Sequence, residues 1–152
     1  MNLLIKGADL IGAGRQDVLI RDGVITQIGT LDTVAQTIDQ TIDADGLIAM
    51  QGLVDIHTHL REPGREDAET VASGSAAAAI GGFTAILAMA NTTPVTDTAE
   101  AAERVLDLGR LAALVDVQPV GAVTKGLAGE ELAELGLMAH SRAQVRVFSD
   151  DG

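Results

Sequence analysis

The chain has no cysteine, no tryptophan and no tyrosine, and aromatics make up 1% of its 152 residues. Without cysteine there are no disulfides, thiolate metal sites or cysteine nucleophiles, so histidine and carboxylate are the metal ligands that remain. The lack of aromatics removes the platforms on which nucleic-acid bases stack. Positive charge is scarce too: ten Lys and Arg against 22 Asp and Glu leave a net charge of -12, which opposes phosphate binding. The acidic excess is spread along the chain and reads as a solvated surface. No apolar run approaches the roughly 20 residues of a membrane span. The start, Met1-Asn2-Leu3-Leu4-Ile5-Lys6, lacks a basic segment followed by a long apolar stretch. These absences predict a cytoplasmic protein without nucleic-acid or membrane partners.

What is present is concentrated. With 47% hydrophobic content the chain can bury a core. Two of its three histidines fall in Asp55-Ile56-His57-Thr58-His59-Leu60-Arg61-Glu62-Pro63-Gly64. In an extended strand, residues i and i+2 share a face and lie roughly 7 Å apart, so His57 and His59 can converge on one metal ion. The preceding run Gly52 to Ile56 reads as a short buried strand, and Glu62-Pro63-Gly64 turns the chain just beyond it. The pair therefore sits at a strand's C-terminal tip, where parallel α/β barrels keep their active sites. A second apolar stretch, Val145 to Ser149, ends in Asp150 and Asp151, and carboxylates at a second strand tip would complement two nitrogens. Alternation sends adjacent side chains to opposite sides, so only one of these two aspartates can face the histidines. His140 and Lys125 read as a solvated loop histidine and a surface charge.

The rhythm of the chain changes near residue 51. From Asn2 to Met50 short β-like pieces alternate with glycine, and Arg21-Asp22-Gly23 between Asp17–Ile20 and Val24–Ile28 is a strong hairpin signal. Thr41–Asp43 and Leu47–Ala49 flank a second turn, and the whole predicts a small antiparallel sheet over residues 1–50. Beyond it come strand Gly52–Ile56, helix Ala68–Ile80, strand Phe83–Met89, helix Asp97–Leu111 capped by Thr96, strand Leu114–Val117, helix Gly129–Met138 and strand Val145–Phe148. Alternating β and α with near-continuous apolar strands predicts an α/β fold with a parallel sheet. Residues 51–152 would supply four βα units, half of an eightfold barrel of about 250 residues, and the sequence is expected to be partial.

Several runs resemble class I dihydroorotases of the amidohydrolase superfamily: Arg21 to Ile25, Gly52 to Gly64, Gly81-Gly82-Phe83-Thr84, Met89-Ala90-Asn91-Thr92, and Phe148-Ser149-Asp150-Asp151-Gly152. The Leu60-Arg61-Glu62-Pro63-Gly64 run after the histidine pair is the specific part. The resemblance implies reversible closure of N-carbamoyl-L-aspartate to dihydroorotate in pyrimidine synthesis. It implies two zinc ions, with His57 and His59 on one and Asp151 bridging both; only the resemblance selects Asp151 over Asp150. It places His59, Arg61 and Asn91 at the substrate, the last two receiving a carboxylate, which a guanidinium fork fits bidentately. It also admits a homo-oligomer or association with an aspartate transcarbamoylase.

Departures from the pattern are Gln51 and Ala90, where the family often has proline. The two later histidines for the second zinc and the later aspartate expected as general acid and base have no counterpart up to Gly152, so the chain alone is expected to be catalytically incomplete. Hydantoinases and allantoinases resemble the same motif but usually bridge their metals with a carboxylated lysine, and the corresponding tip here offers Asp150-Asp151. A non-catalytic subunit scaffolding a transcarbamoylase is opposed by the joint presence of His57, His59, Arg61, Asn91 and Asp151.

Overall fold

Aspartate followed by glycine tolerates left-handed backbone at both central positions of a tight turn, and Asp22 and Gly23 adopt φ of 49° and 79°. Their turn joins β2 (Gly14–Arg21) to β3 (Val24–Gly29) in an antiparallel pair. The computed structural model describes residues 1–31 and 37–151. Gly152, the last residue of the matching runs, lies outside them.

The chain divides into two units, Met1–Gln51 and Gly52–Gly152. In the first, β1 (Asn2–Leu10) pairs antiparallel with β2. The expected all-antiparallel sheet is corrected on its other side, where β4 (Gln40–Asp43) and β5 (Ile48–Ala49) both run parallel to β1. The Ala44-Asp45-Gly46 segment therefore does not reverse the chain. The Ala44 N–H donates to the Lys6 carbonyl and the Asp9 N–H to the Leu47 carbonyl, so the chain steps along β1 without turning back. Leu4, Ala8, Val18, Leu19 and Ala44 are buried here.

The second unit is a parallel sheet in the order β6 (Leu53–Thr58), β7 (Phe83–Ala88), β8 (Asp116–Pro119). Helices α1 (Val71–Ile80) and α2 (Ala99–Ala112) follow the first two strands. Val71 and Val105 of the helices meet Ile86, Ala88 and Val117 of the sheet, together with Leu60, in one apolar cluster. A Cβ on Gly109 would lie 2.5 Å from Val117 Cβ, so glycine is what lets α2 approach β8 this closely.

Four expectations are revised. The run before the histidines is an exposed edge: β6 pairs only with β7 among the described residues, and Ile56 is 71% exposed. Helix α2 begins two residues later than expected, capped by Thr98, whose hydroxyl accepts from the Ala101 N–H. Thr96 is buried instead, its N–H donating to the Ala90 carbonyl and its hydroxyl paired with Thr92. The helix expected over Gly129–Met138 shrinks to α3 (Leu135–His140), because Glu131 and Ala133 spend their backbone bonds on Lys125 and Val123. Val145–Phe148 forms no strand. The Val145 N–H turns back to Met138, and among the described residues an isolated parallel bridge, Gly121 with Phe148, is what joins this stretch to the segment after β8.

Candidate metal centre

The histidines sit where β6 departs from regular pairing. Asp55 faces Ile86 and Thr58 faces Ala88, so two β6 residues oppose one on β7. Such a bulge re-aims side chains at a strand's end. Asp55 stabilises it locally: its carboxylate accepts from the His57 N–H at 3.0 Å, a side-chain bond two residues along that replaces a ladder bond. The rings of His57 and His59 end up 5.1 Å apart, edge to face. An acidic residue two before a histidine is the sequence signal for this role.

Asp151 completes the group. Its Oδ1 lies 3.4 Å from His57 Nε2 and its Oδ2 lies 3.3 Å from His59 Nε2. One ligand atom from each residue falls within 4.8 Å of the others. The two nitrogens face different oxygens of one carboxylate, and three ligand atoms this close together can share an ion after small side-chain adjustments. Two imidazoles and a carboxylate are also a donor set suited to that metal. His59 and Asp151 are 28% and 26% exposed, so the group is sheltered yet reachable.

Asp150 divides its labour from its neighbour. Its Oδ1 accepts from the Val123 and Thr124 N–H groups at 2.8 and 2.9 Å, and its Oδ2 accepts from the Thr124 hydroxyl at 2.6 Å. The Thr124 hydroxyl, then its N–H, hold the Asp150 carboxyl below the usual carboxylate range. Asp150 is pinned to the 123–124 segment, while the adjacent Asp151 faces the histidines.

Arg61 lies two residues beyond His59 in left-handed backbone, φ 61°. It is half-buried, and its guanidinium makes no hydrogen bond or ion pair among the described residues. The turn holding it is anchored twice. Glu62 reaches the start of α1, where its Oε2 accepts from the Val71 N–H at 2.7 Å, and the Pro63 carbonyl accepts from the Thr93 N–H at 2.8 Å. Glu62 was not assigned a role from sequence, because its partner is set by the helix start and not by spacing. Asn91, on the loop docked against this turn, meets His59: its Oδ1 is 2.9 Å from His59 Nδ1. His140 is no loop residue but the exposed end of α3, bonded to the Gly136 carbonyl, and Lys125 pairs with Glu131. Neither joins the group.

The docking of the two loops makes Gly64 a sensitive position. It sits at φ 106°, and a Cβ there would lie 2.4 Å from Thr93 Cβ and 2.6 Å from the Thr93 carbonyl oxygen. Gly64→Ala is expected to cost roughly 2 to 4 kcal/mol by combining backbone strain with overpacking against main chain. Urea unfolding of the gene product reads this directly; an unchanged midpoint would mean that the loops are not held together here.

A family model described as Dihydro-orotase-like matches residues 46–152. The chain is 57% identical over 150 residues to a dihydroorotase from Leifsonia xyli subsp. xyli, an alignment covering 98% of this chain and 34% of that protein. It is 56% identical over 153 residues to a dihydroorotase from Mycobacterium tuberculosis, covering 100% and 35%. The chain thus spans about a third of the length of the curated relatives it matches. Among solved structures, an L-hydantoinase (dihydropyrimidinase) from Arthrobacter aurescens aligns at TM-score 0.70 and 28% identity, over 83% of this chain and 29% of that one. A dihydropyrimidinase from Brevibacillus agri aligns at TM-score 0.67 and 27% identity, over 82% and 28%. A family match over more than half of the residues, reinforced by relatives of one name along nearly the whole chain, shows that the chain belongs to the dihydroorotase-like family.

Proposed function

We propose that this chain is part of a zinc-dependent dihydroorotase, the enzyme that interconverts N-carbamoyl-L-aspartate and (S)-dihydroorotate in pyrimidine synthesis. The observation that carries the reading is the convergence of His57, His59 and Asp151, one ligand atom of each lying within 4.8 Å of the others. Residues 52–151 fit the first half of a (β/α)8 barrel preceded by a small β unit, with the site at the sheet's C-terminal rim.

The residues divide the work as follows. His57, His59 and Asp151 would hold zinc, which supplies Lewis acidity toward the amide carbonyl. Arg61, two residues past His59, carries a guanidinium with no partner among the described residues, and its planar fork suits the carboxylate that the cyclisation leaves untouched. Asn91 would add amide donors to the same carboxylate. A second ion, with Asp151 between the two, and an aspartate serving as general acid and base would draw on residues outside this chain. The substrate is a small molecule; a homo-oligomer or an aspartate transcarbamoylase partner accords with the reading. No helix among the described residues is long and apolar enough to cross a membrane, which accords with a cytoplasmic site of action.

A cyclic amidase of the hydantoinase type is the second reading, favoured by the similarity to the Arthrobacter enzyme. Identities of 56–57% to dihydroorotases, against 28% to the hydantoinase, favour the first. Protein expressed from the gene encoding this chain, loaded with zinc, is expected to cyclise carbamoyl aspartate and to leave hydantoin intact. Opening of hydantoin without dihydroorotate formation would install the second reading, and inertness toward both with zinc bound would leave a non-catalytic subunit.

Asp150 provides a prediction at the ligand next to it. Asp150→Ala releases the 123–124 segment and frees Asp151 to swing, so zinc affinity should fall roughly 10-fold, within the range for residues that orient a ligand. Chelator competition measures it. Because the Asp150 carboxyl titrates below its ordinary range, the anchor is intact at neutral pH and is lost only as pH falls below the ordinary carboxylate range. The wild-type anchor should therefore not change between pH 6 and 8.

A further inference from the structure

We infer that Asn91 is a positioning residue of the metal centre: its side-chain carbonyl fixes the tautomer and rotation of His59, so that the ring's Nε2 presents a lone pair to the metal. The inference rests on the zinc reading of His57, His59 and Asp151 and gives Asn91 a task besides substrate contact.

The geometry is specific. Asn91 Oδ1 stands 2.9 Å from His59 Nδ1, while the opposite ring nitrogen, Nε2, faces Asp151 at 3.3 Å. An amide oxygen can only accept, so Nδ1 carries a hydrogen and Nε2 is the nitrogen available to give its lone pair to an ion. The reverse amide orientation would set an NH2 group against Nδ1 and drive the hydrogen onto Nε2. That would deprive the nitrogen facing Asp151 of its ligating lone pair. A carbonyl that receives the second ring N–H of a ligating histidine also raises the basicity of the ligating nitrogen.

The two histidines are not equivalent in this respect. His57 is 53% exposed, and its Nδ1 has no hydrogen-bond partner among the described residues. His59 is 28% exposed and carries the only such support among the described residues. Asn91 is itself held firmly, since the loop around it closes on the Ala90 carbonyl, which accepts from the Thr92 and Thr96 N–H groups at 2.9 and 3.0 Å. With Oδ1 committed to His59, the Nδ2 amide is the part of Asn91 left to donate to a carboxylate. One side chain would then serve the metal with its oxygen and the substrate with its nitrogen.

The test uses zinc alone as the probe and the protein expressed from the gene encoding this chain. Chelator competition should show Asn91→Ala binding zinc 10- to 100-fold more weakly than wild type. Asn91→Asp, which keeps an acceptor against Nδ1 but lacks the amide donors, should hold zinc within about 3-fold while KM for carbamoyl aspartate rises. Long-range nitrogen–proton NMR of the zinc-loaded wild type should report the hydrogen of His59 on Nδ1, a readout that needs no variant to fold. Wild-type zinc affinity in a folded Asn91→Ala protein, or a His59 that binds zinc through Nδ1, would overturn the inference. The failure of the underlying reading looks different: zinc affinity would then survive loss of both His57 and His59, whatever Asn91 does.

Discussion

Replacing His57 and His59 together by alanine should strip most of the zinc from the gene product and lower kcat/KM for carbamoyl aspartate by at least roughly 1000-fold. The magnitude follows from the several kcal/mol of transition-state stabilisation that a Lewis-acid metal supplies, at 1.36 kcal/mol per tenfold in rate. His57 and His59 lie at a strand's C-terminal tip and neither belongs to the buried apolar clusters, so the change removes ligands without hollowing a core. Circular dichroism should report an unchanged fold, and metal analysis of the same sample gives the stoichiometry. Zinc retained at wild-type stoichiometry in the folded double variant would remove these residues from the ligand set. Of the three ligands in this chain, Asp151 alone would remain, and one carboxylate cannot hold this ion tightly by itself.

Loss of the Arg61 guanidinium should reduce kcat/KM by roughly 30- to 1000-fold, the equivalent of about 2 to 4 kcal/mol for a charge-assisted bidentate contact. Arg61→Lys should be nearly as damaging as Arg61→Met, because a point charge on a flexible stem does not reproduce the planar fork. The backbone adds a sharper comparison. Arg61 sits at φ 61°, a conformation that costs a non-glycine residue roughly 1–2 kcal/mol. Arg61→Gly relieves that strain, so it should unfold no more easily than wild type while losing activity like Arg61→Met. A residue kept for structure would behave in the opposite way. Wild-type kinetics in Arg61→Gly would end its assignment to the substrate.

What could be read from the sequence was local. The proximity of His57 and His59 follows from two-residue spacing at a turn-bounded strand, and the Asp22-Gly23 turn follows from the φ values those residues tolerate. What could not be read was decided far along the chain. Asp151 faces the histidines because Asp150 is tied to Val123 and Thr124, 27 and 26 residues away, and no alternation rule reveals which of two adjacent aspartates is tied. The Asn91 contact with His59 spans 32 residues. The α2 cap falls on Thr98 because the hydroxyl of Thr96, an equally good candidate by type, is already paired with Thr92. Val145 to Phe148 has a strand's composition, yet Val145 bonds to Met138, and among the described residues an isolated bridge is what joins this stretch to the segment after β8. The apolar run of β6 suggested burial on both faces, but its coverage depends on neighbours that only the sheet order reveals.

The Thr93 N–H on the Pro63 carbonyl, with Gly64 pressed against Thr93, has a consequence for anyone reshaping this site. The turn carrying Arg61 and the loop carrying Asn91 are one mechanical part made from two stretches of sequence. Transplanting residues 60–64 alone into a related scaffold would bring a glycine shaped for Thr93 against a foreign side chain. Randomising residues 91–94 alone would unseat Arg61 without touching it. Libraries aimed at new substrates should therefore vary the two stretches jointly and keep Pro63, Gly64 and Thr93 constant as the hinge pin between them.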